Sequence, residues 1–514
     1  MHMRNMMKKI YNAMTRFAAV IAAAFIVISC LEKIPGDSIP ESEGMKTLPD
    51  AEQTLNGIYS ALMSGALYSG YLTLLPDIQT DLVYAVQGNT NTYGTHWLWD
   101  IRSTNSEVES VYGSLYRVIG LCNFYLDLVG DLRATLTDDD SIQTLDFYTG
   151  EVYCARALAY SELVKCFCKA YGPETEGDHG VVLADTYFGE KPKSRATLKE
   201  SYNFILNDLK KAEELLDSDN DYYSAVYFTK AAAEAIHARV ALYMQDWPTA
   251  IEYSTRLIDN KAFELATSSV YTTQVSPITG SSAYYTYIDY MWSNDLSFEI
   301  IWKVGFQVTS FGGALGQNFL NFNNDYTYFY PDYVPAQWVL DLYSGTDARF
   351  SAYFTQLQTG YSHQLQWYLL TKYFGNMDFI QNLIYHVNMP KPLRLAEQYL
   401  IRAEAYCRNN KWSLANADLS ALNKSRGASA TAVNADNWLD VISNERVKEL
   451  YMEGFRLHDL KRWNMGFERK PQTSTQKEGS SLKKNAGDPL FVWPIPKNEL
   501  EAPGAHIQPN ESNR

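Results

Sequence analysis

The sequence predicts a mainly α-helical fold in which tetratricopeptide-like helix pairs form a right-handed helical scaffold with a long, irregular, loop-rich insertion. Three observations support this prediction. Helical apolar periodicity extends over most of the chain, two helix pairs resemble each other, and the periodicity fades between residues 261 and 390. We therefore expect a single domain at residues 50–514, with the scaffold at about 50–260 and 391–514.

A lipoprotein signal is predicted at residues 1–29. This segment carries four basic residues and no acid, and its apolar run from Phe17 to Ile28 is shorter than the ~20 residues that span a bilayer. The run leads through Ser29 to Cys30 in a lipobox-like pattern, so Cys30 is the predicted lipidation site and membrane anchor. The alternative is an ordinary secretory signal with an incidental cysteine. Residues 30–49, with several prolines, glycines and acids, are expected to form a flexible tether.

The charge of the chain argues against nucleic acid as a partner. The formal net charge is -15, and removal of the four basic residues with the signal makes the mature chain more negative. A strongly acidic body repels phosphate backbones and anionic lipids.

The other five cysteines are predicted to be buried free thiols rather than a disulfide framework or a metal site. They are Cys122, Cys154, Cys166, Cys168 and Cys407. If Cys154 and Cys166 lie on one helix, a rise of 1.5 Å per residue separates them by about 18 Å along its axis. That distance is too long for a disulfide.

Long amphipathic runs predict the helices of the scaffold. They lie at residues 51–64, 108–129, 147–170, 198–216, 229–244, 249–259, 393–408, 413–424 and 444–463. Two turns between helices contain a tryptophan, Trp247 or Trp412, and an alanine follows three residues later in each case. Small residues at helical spacing allow helices to approach closely, and the aromatic ring packs between the two members of a pair.

Residues 261–390 are rich in glycine, asparagine, serine and tyrosine. A long irregular segment in a compact chain is usually functional or disordered, and many aromatic residues argue against disorder. The chain has 38 tyrosines and only 22 phenylalanines, although a buried phenol needs a hydrogen-bond partner. Some of these rings are therefore expected on surfaces that are partly wet and bind a ligand.

Two clusters of aromatic and amide side chains are candidate glycan sites, one before the second predicted helix and one in the insertion. Sugar rings present C–H faces to aromatic planes and hydroxyls to amides. The candidates for stacking are Tyr93, Trp97, Trp99, Trp292, Tyr328 and Tyr330, and those for hydrogen bonding are Asn91 and Asn323. The alternative is that these rings only pack the insertion against the scaffold.

The common catalytic and metal-binding motifs do not occur in the sequence. There is no H-E-x-x-H motif, no phosphate-binding loop and no dinucleotide fingerprint. Asp217, Asp219 and Asp221 have the spacing of a calcium loop but lack its glycine and glutamate, so a solvated acidic loop is the preferred interpretation. We predict no catalytic residue, metal ligand or cofactor, while abundant carboxylates leave a paired-carboxylate glycosidase site open.

Several segments in order along the chain carry a family resemblance. The motifs N-E-R, E-G-F-R and D-L-K-R-W lie at residues 444–463, and W-P-I-P begins at Trp493. R-L-A-E begins at Arg394, R-A-L-A-Y at Arg156, and L-N-G-I-Y at Leu55. Together they resemble the SusD/RagB family of outer-membrane nutrient-binding lipoproteins.

The charges of the 444–463 segment are predicted to be structural. Glu445, Glu449 and Glu453 recur every four residues between basic side chains and beside an apolar stripe. This pattern predicts ion-paired faces on a single helix.

The resemblance implies four tetratricopeptide-like units, attachment to the outer membrane at the cell surface, and a lid over a SusC-like TonB-dependent transporter. The expected function is to capture an oligosaccharide and deliver it to that transporter without catalysis. The alternatives are that the protein binds peptides or other nutrients, or that it is a purely structural docking subunit of the transporter. The family's ligand residues lie in variable loops, so the resemblance assigns none here.

Overall fold

The structure, a computed structural model, describes residues 44–216, 225–322, 328–361, 366–470 and 481–513. The predicted signal, Cys30 and most of the predicted tether lie outside these residues. Contacts divide the chain into Met1–Lys46 and Thr47–Arg514, and the elements below belong to the second unit.

Helices form most of the regular structure in the described chain. The longer ones are α1 (Leu48–Leu62), α4 (Ser106–Thr135), α5 (Asp139–Phe167), α6 (Leu198–Leu215), α7 (Lys230–Tyr243), α8 (Trp247–Asp259), α14 (Leu395–Arg408), α15 (Trp412–Ser425) and α16 (Trp438–Glu449). The shorter ones are α2 (Tyr71–Ile78), α3 (Gly94–Trp97), α9 (Tyr287–Ser293), α10 (Gln317–Leu320), α11 (Gln337–Leu340), α12 (Ala348–Tyr353), α13 (Met377–Gln381), α17 (Arg456–Trp463) and α18 (Lys497–Leu500). None of the helices in the described ranges is long and apolar enough to cross a bilayer.

Short strands pair two by two in antiparallel fashion. They are β1 (Val83–Ala85) with β5 (Tyr333–Pro335), β2 (Val270–Val275) with β3 (Ser282–Thr286), β4 (Ile300–Trp302) with β8 (Leu393–Arg394), β6 (Phe354–Gln358) with β7 (Gln366–Leu370), and β9 (Phe467–Glu468) with β10 (Lys483–Lys484). The β1–β5 pair joins the loop before α3 to the insertion.

Capping residues explain where several helices begin. The Thr47 and Thr197 side chains each form a capping box with an acid three residues later. Asp138 accepts a hydrogen bond from the Ser141 backbone, so α5 begins earlier than its apolar pattern predicts. Eight of the nine predicted helical runs correspond to helices of the structure, with shifted ends.

Consecutive helices pack as pairs, as the sequence predicts. Helix α4 contacts α5, α5 contacts α6, α7 contacts α8, and α14 contacts α15. Trp247 and Trp412 pack at the edges of two apolar clusters rich in alanine. Helix α8 also contacts α14, so the scaffold continues across the insertion, and the predicted fold class is confirmed.

The prediction of one helix at residues 444–463 is wrong, because the chain turns between α16 and α17. Gly454 has a φ of +83°, and a Cβ atom there would lie 2.2 Å from the carbonyl oxygen of Leu72 in α2. The Asp77 carboxylate, also in α2, accepts hydrogen bonds from the backbone N–H groups of Gly454 and Arg456 at 3.1 and 2.8 Å. The close approach of α2 therefore requires glycine and starts a new helix.

The acids of this segment pair mainly across elements rather than along one helix. They belong to a buried ionic network of Arg349, Arg394, Arg426, Lys372, Asp347, Glu299, Glu445, Glu449 and Glu453. Burial alone would raise the pKa of Glu449, but the guanidinium groups of Arg426 and Arg394 hold it well below its ordinary value. The network ties the insertion to the C-terminal helices, which confirms that these charges have structural partners.

The five predicted free thiols are buried, and none of them forms a disulfide. Cys154 and Cys166 lie on α5, as predicted. Burial raises the pKa of both thiols, so they are packing residues rather than reactive groups.

Candidate functional site

The three tryptophans predicted to stack on a ligand are core residues. Trp97, Trp99 and Trp292 are 0%, 5% and 3% exposed. The guanidinium carbon of Arg469 lies 3.4 Å from the centre of the Trp97 ring, and Lys372 Nζ lies 4.0 Å from that of Trp292. Because protein atoms already cover these rings, the structure corrects the prediction that they offer open planes to a sugar.

The loop that carries Asn91 and Tyr93 has an unusual backbone. Asn91, Tyr93 and Trp99 all have positive φ values, of 66°, 59° and 57°. Tyrosine and tryptophan seldom adopt this left-handed region, and such strain is concentrated at functional sites. The Asn91 side chain lies over Gly94, where a Cβ atom would come within 2.4 Å of Asn91 Oδ1.

Asp332 joins this loop to the insertion. Its carboxylate accepts hydrogen bonds from the backbone N–H and the hydroxyl of Thr90, at 2.7 and 2.9 Å, and from Asn318 Nδ2 at 2.9 Å. The Tyr333 hydroxyl donates to the Thr92 carbonyl at 2.6 Å. The first predicted cluster and the part of the second that contains Tyr330, more than two hundred residues apart in sequence, therefore approach each other at this point.

Four half-buried tyrosines lie around the junction, and we refer to Tyr71, Tyr93, Tyr330 and Tyr361 as the tyrosine surface. The rings of Tyr71 and Tyr93 meet edge to face at 5.8 Å, and those of Tyr330 and Tyr361 at 5.6 Å. The Tyr361 hydroxyl donates to the Pro331 carbonyl at 2.9 Å. The hydroxyls of Tyr71, Tyr93 and Tyr330 have no hydrogen-bond partner among the described residues and are available to a ligand.

Two glycines allow the rings of the tyrosine surface to pack against backbone. A Cβ atom at Gly360 would lie 2.3 Å from the ring of Tyr330. At Gly88, with a φ of +88°, the same atom would contact the ring of Tyr361 at 3.7 Å. The backbone thus holds Tyr330 in place from beneath and leaves part of its ring uncovered.

An open cleft of about 370 Å³ adjoins Tyr93 and Asn91. Its other walls are polar and include Asp100, Arg102 and Glu107. Arg102 and Asp100 form an exposed ion pair at 3.2 Å. The cleft therefore combines an aromatic edge with side chains that donate and accept hydrogen bonds.

The electrostatics keep the phenols of this surface protonated. Burial raises the pKa of Tyr93 to about 12, with smaller contributions from Tyr71, Glu107 and Asp332. Burial and Glu107 also raise the pKa of Tyr71. Both hydroxyls can donate and accept hydrogen bonds at any physiological pH.

Of the predicted site residues, Asn91 and Tyr93 line the cleft, and Tyr330 lies two residues before Asp332, which binds the loop that carries them. Tyr328 lies half-buried two residues before Tyr330, and Asn323 lies outside the described residues. Sequence reasoning did not identify Tyr71 and Tyr361, because neither lies in a recognisable cluster of aromatic and amide residues. Only the tertiary contacts show that they belong to the surface.

The geometry is suited to binding. Partly exposed rings can stack on apolar faces of a ligand, and the adjoining amides, hydroxyls and charges can hold its polar groups. Across the parts of the chain that the structure describes, no group of three or more metal-ligating side chains is found.

Comparison with solved structures shows the same fold in several bacterial proteins. A SusD superfamily protein from Bacteroides thetaiotaomicron matches with a TM-score of 0.75 and 22% identity, over 90% of this chain and 99% of the other. A putative sugar binding protein from Bacteroides vulgatus matches with a TM-score of 0.74 and 24% identity, over 91% and 99%. A SusD-like carbohydrate binding protein from the same organism has a TM-score of 0.71 and 20% identity, over 90% and 98%.

Sequence comparison identifies the family. The SusD-like protein P38 of Formosa agariphila is 24% identical over 280 residues, which are 51% of this chain and 48% of that protein. This chain thus spans about half the length of that curated relative. The model of the SusD family matches residues 316–510, and a model described as starch-binding associating with outer membrane matches residues 37–242. With both halves of the chain matched in order, this protein belongs to the SusD/RagB family.

Proposed function

We propose that this protein is a lipid-anchored glycan-binding protein of the outer-membrane surface that captures oligosaccharides and delivers them to a SusC-like TonB-dependent transporter. The observation that carries the proposal is the tyrosine surface beside the open polar cleft. The names of the similar proteins, which mention sugar, carbohydrate and starch, support a glycan as the ligand.

The physical argument for a glycan rests on the mixture of groups at the site. A pyranose ring has C–H faces that contact aromatic rings and a rim of hydroxyls that both donate and accept. The uncovered parts of Tyr93 and Tyr330 provide the first kind of contact, and their free hydroxyls, with Asn91, provide the second. A ligand without hydroxyls would cover the hydroxyls of Tyr93 and Tyr330 without giving them hydrogen-bond partners, which costs free energy.

Binding without catalysis and attachment at the outer membrane complete the proposal. The family description places starch-binding relatives in association with the outer membrane. The lipobox-like pattern ending at Cys30 supports the anchor, and the family resemblance supports the transporter as the partner. A hydrolase would release shorter products from a bound glycan, and we expect none.

Alanine substitution at Tyr93 or Tyr330 is expected to weaken oligosaccharide binding by about 1–2 kcal/mol each, or about 5- to 30-fold in Kd. Each substitution removes a stacking plane and a hydroxyl. A glycan array that also carries peptides should first identify the ligand, and calorimetry should then compare the variants. Circular dichroism and thermal unfolding should show that the fold is retained.

Tyr187→Ala is the matched control, because Tyr187 is also a partly exposed tyrosine, 38% exposed. Its ring contacts Phe124, which lies 17 residues beyond Glu107 on α4, about 26 Å from the cleft at 1.5 Å per residue. The Tyr187→Ala protein should bind the oligosaccharide with the same affinity as the unmodified protein. Equal affinity in all three variants would contradict the placement of the site, and binding to peptides alone would contradict the glycan.

Cys30→Ser is expected to release the protein from the membrane fraction. The thiol at this position is the proposed acceptor of the lipid, and serine cannot form the thioether. Metabolic labelling with a radioactive fatty acid should mark the unmodified protein and not the variant. Proteolysis of intact cells tests whether the protein is exposed on the outer face of the outer membrane. A labelled Cys30→Ser protein would show that the lipid is attached elsewhere.

A further inference from the structure

A second cavity, of about 250 Å³, lies beneath the β2–β3 hairpin and away from the open cleft. The hairpin turn and β3 form one side, α9 and α12 form another, and residues at the start of β6 and after β7 close it. No residue of this cavity lines the cleft beside Tyr93. Its volume suits a single sugar ring rather than an extended chain.

The walls of the cavity divide into an apolar and a polar part. Ile278, Ala283, Ala352 and Phe374 are among the apolar residues. Hydroxyl groups dominate the polar part, which includes Ser276, Thr355 and Thr371. This division matches the C–H face and the hydroxyl rim of a pyranose.

The hydroxyls of Thr355 and Thr371 form a pair across the strands, 3.0 Å apart. Each hydroxyl has one hydrogen and two lone pairs, so the pair retains capacity for a further donor or acceptor. The Ser276 hydroxyl accepts from the backbone N–H groups of Ile278 and Thr279 at 3.2 and 3.3 Å, which fixes its position in the turn.

Asp289 provides the strongest acceptor in the cavity. Its Oδ2 accepts from the backbone N–H and the hydroxyl of Thr286, at 2.7 and 2.6 Å. Among the described residues, no hydrogen bond to its Oδ1 and no ion pair of Asp289 is found. A hydroxyl of a ligand would satisfy this oxygen, whereas a carboxylate of a ligand would be repelled.

The ammonium group of Lys372 does not offset this repulsion. It forms an ion pair with Glu453 at 2.6 Å and donates to the Tyr451 carbonyl at 2.8 Å. The group also lies over the ring of Trp292. Trp292 borders the cavity, and its Nε1 has no partner in the described chain, so an acceptor atom is missing on this side.

We propose that this cavity is a second carbohydrate subsite that binds one neutral sugar residue, such as a chain end or a branch, and disfavours uronic acids. The inference rests on the proposed function and adds the charge and the size of the sugar. Tyr284, at the mouth of the cavity, is 77% exposed and offers an open ring to the next residue of the chain.

The cavity and the tyrosine surface are linked by β6, which ends at Gln358, and by the three residues that follow it. Thr355 lies in the cavity and Tyr361 follows six residues later, so the chain between them spans at most about 20 Å at 3.3 Å per residue. An oligosaccharide long enough to reach both places would bind with a high effective concentration at the second contact.

The test uses the full-length protein in detergent with glucose, galactose, mannose and xylose as neutral probes and glucuronate as the charged probe. Saturation-transfer NMR should detect at least one neutral sugar and a weaker glucuronate signal. In a Tyr93→Ala/Tyr330→Ala background, which removes two rings of the tyrosine surface, Ala283→Phe should abolish the remaining signal by filling the cavity. Asp289→Asn, which keeps one carbonyl acceptor for Thr286, should reduce the preference for neutral sugar over glucuronate by about tenfold if one charge repulsion is removed.

Tyr187→Ala is the control, because Tyr187 contacts Phe124 and lines neither the cavity nor the cleft beside Tyr93. It should keep both monosaccharide and oligosaccharide binding, whereas Ala283→Phe should weaken monosaccharide binding more than oligosaccharide binding. Absence of binding by all four neutral sugars, or binding that survives Ala283→Phe in the Tyr93→Ala/Tyr330→Ala background, would overturn the subsite. If oligosaccharides still bind through the tyrosine surface in that case, the proposed function stands without it.

Discussion

Replacing Glu449 with alanine is expected to lower the free energy of unfolding by about 3–5 kcal/mol. The carboxylate is fully buried and accepts hydrogen bonds from three guanidinium groups, those of Arg349, Arg394 and Arg426, at 2.8 to 3.0 Å. Alanine would leave these donors without their shared partner in a site that water does not reach. Urea unfolding followed by circular dichroism measures the change.

Glu501→Ala is the matched control for this substitution. Glu501 is 66% exposed and pairs with Lys497 four residues earlier at 3.6 Å, so its loss should change the free energy of unfolding by no more than about 0.5 kcal/mol. If Glu449→Ala lowered the free energy of unfolding as little as Glu501→Ala does, the ionic network would not hold the insertion to the C-terminal helices.

The contribution of Glu449 to the free energy of unfolding should also depend on pH. Its pKa in the folded protein lies well below the ordinary value of 4.5. A carboxylate with a depressed folded pKa stabilises the fold fully above its unfolded pKa and loses this contribution as the pH falls through the folded value. The difference between Glu449→Gln and the unmodified protein should therefore be constant above about pH 5 and shrink in acid.

Arg469→Met is expected to destabilise the fold by about 3–5 kcal/mol and to reduce oligosaccharide affinity more than Tyr93→Ala does. The Arg469 guanidinium donates to the carbonyls of Thr80 and Trp97 at 2.7 and 2.6 Å, and to that of Gln79 at 2.9 Å. It also covers the Trp97 ring. Its removal leaves the buried carbonyls of Thr80, after the end of α2, and of Trp97, beneath the loop that carries Tyr93, without this donor.

Arg102→Met is the control that distinguishes the support of the loop by Arg469 from an effect of removing a positive charge near the cleft. Arg102 lines the cleft, and its side chain is 67% exposed, so its replacement should leave the free energy of unfolding nearly unchanged. Thermal unfolding and calorimetry on both variants give the comparison. Full affinity in a folded Arg469→Met protein would show that the loop does not depend on this support.

Much of the helical scaffold is predictable, because apolar periodicity and capping residues are local properties of the chain. Helices α7, α8, α14 and α15 follow their patterns closely. The turn at Gly454 is not predictable in this way. The residues around it have helical spacing, but the approach of the Leu72 carbonyl and the hydrogen bonds from Gly454 and Arg456 to Asp77 separate two helices.

The candidate site is predictable only in part. Asn91 and Tyr93 line the cleft and Tyr330 is half-buried near Asp332, whereas Trp97, Trp99 and Trp292 are buried. An aromatic residue near a loop has the same sequence signature whether its ring faces a ligand or the core. Burial depends on which distant side chain covers it, as Arg469 covers Trp97 across more than three hundred residues.

The sequence by itself determined the helix pairs, the lipobox-like pattern at Cys30 and the ordered motifs of the family, because each of these depends on residues close to one another in the chain. Only the tertiary structure decided which aromatic rings stay accessible. The contact between Thr90 and Asp332, 242 residues apart, brings the two loops together. A pattern of neighbouring residues cannot predict a contact between residues so far apart in the sequence.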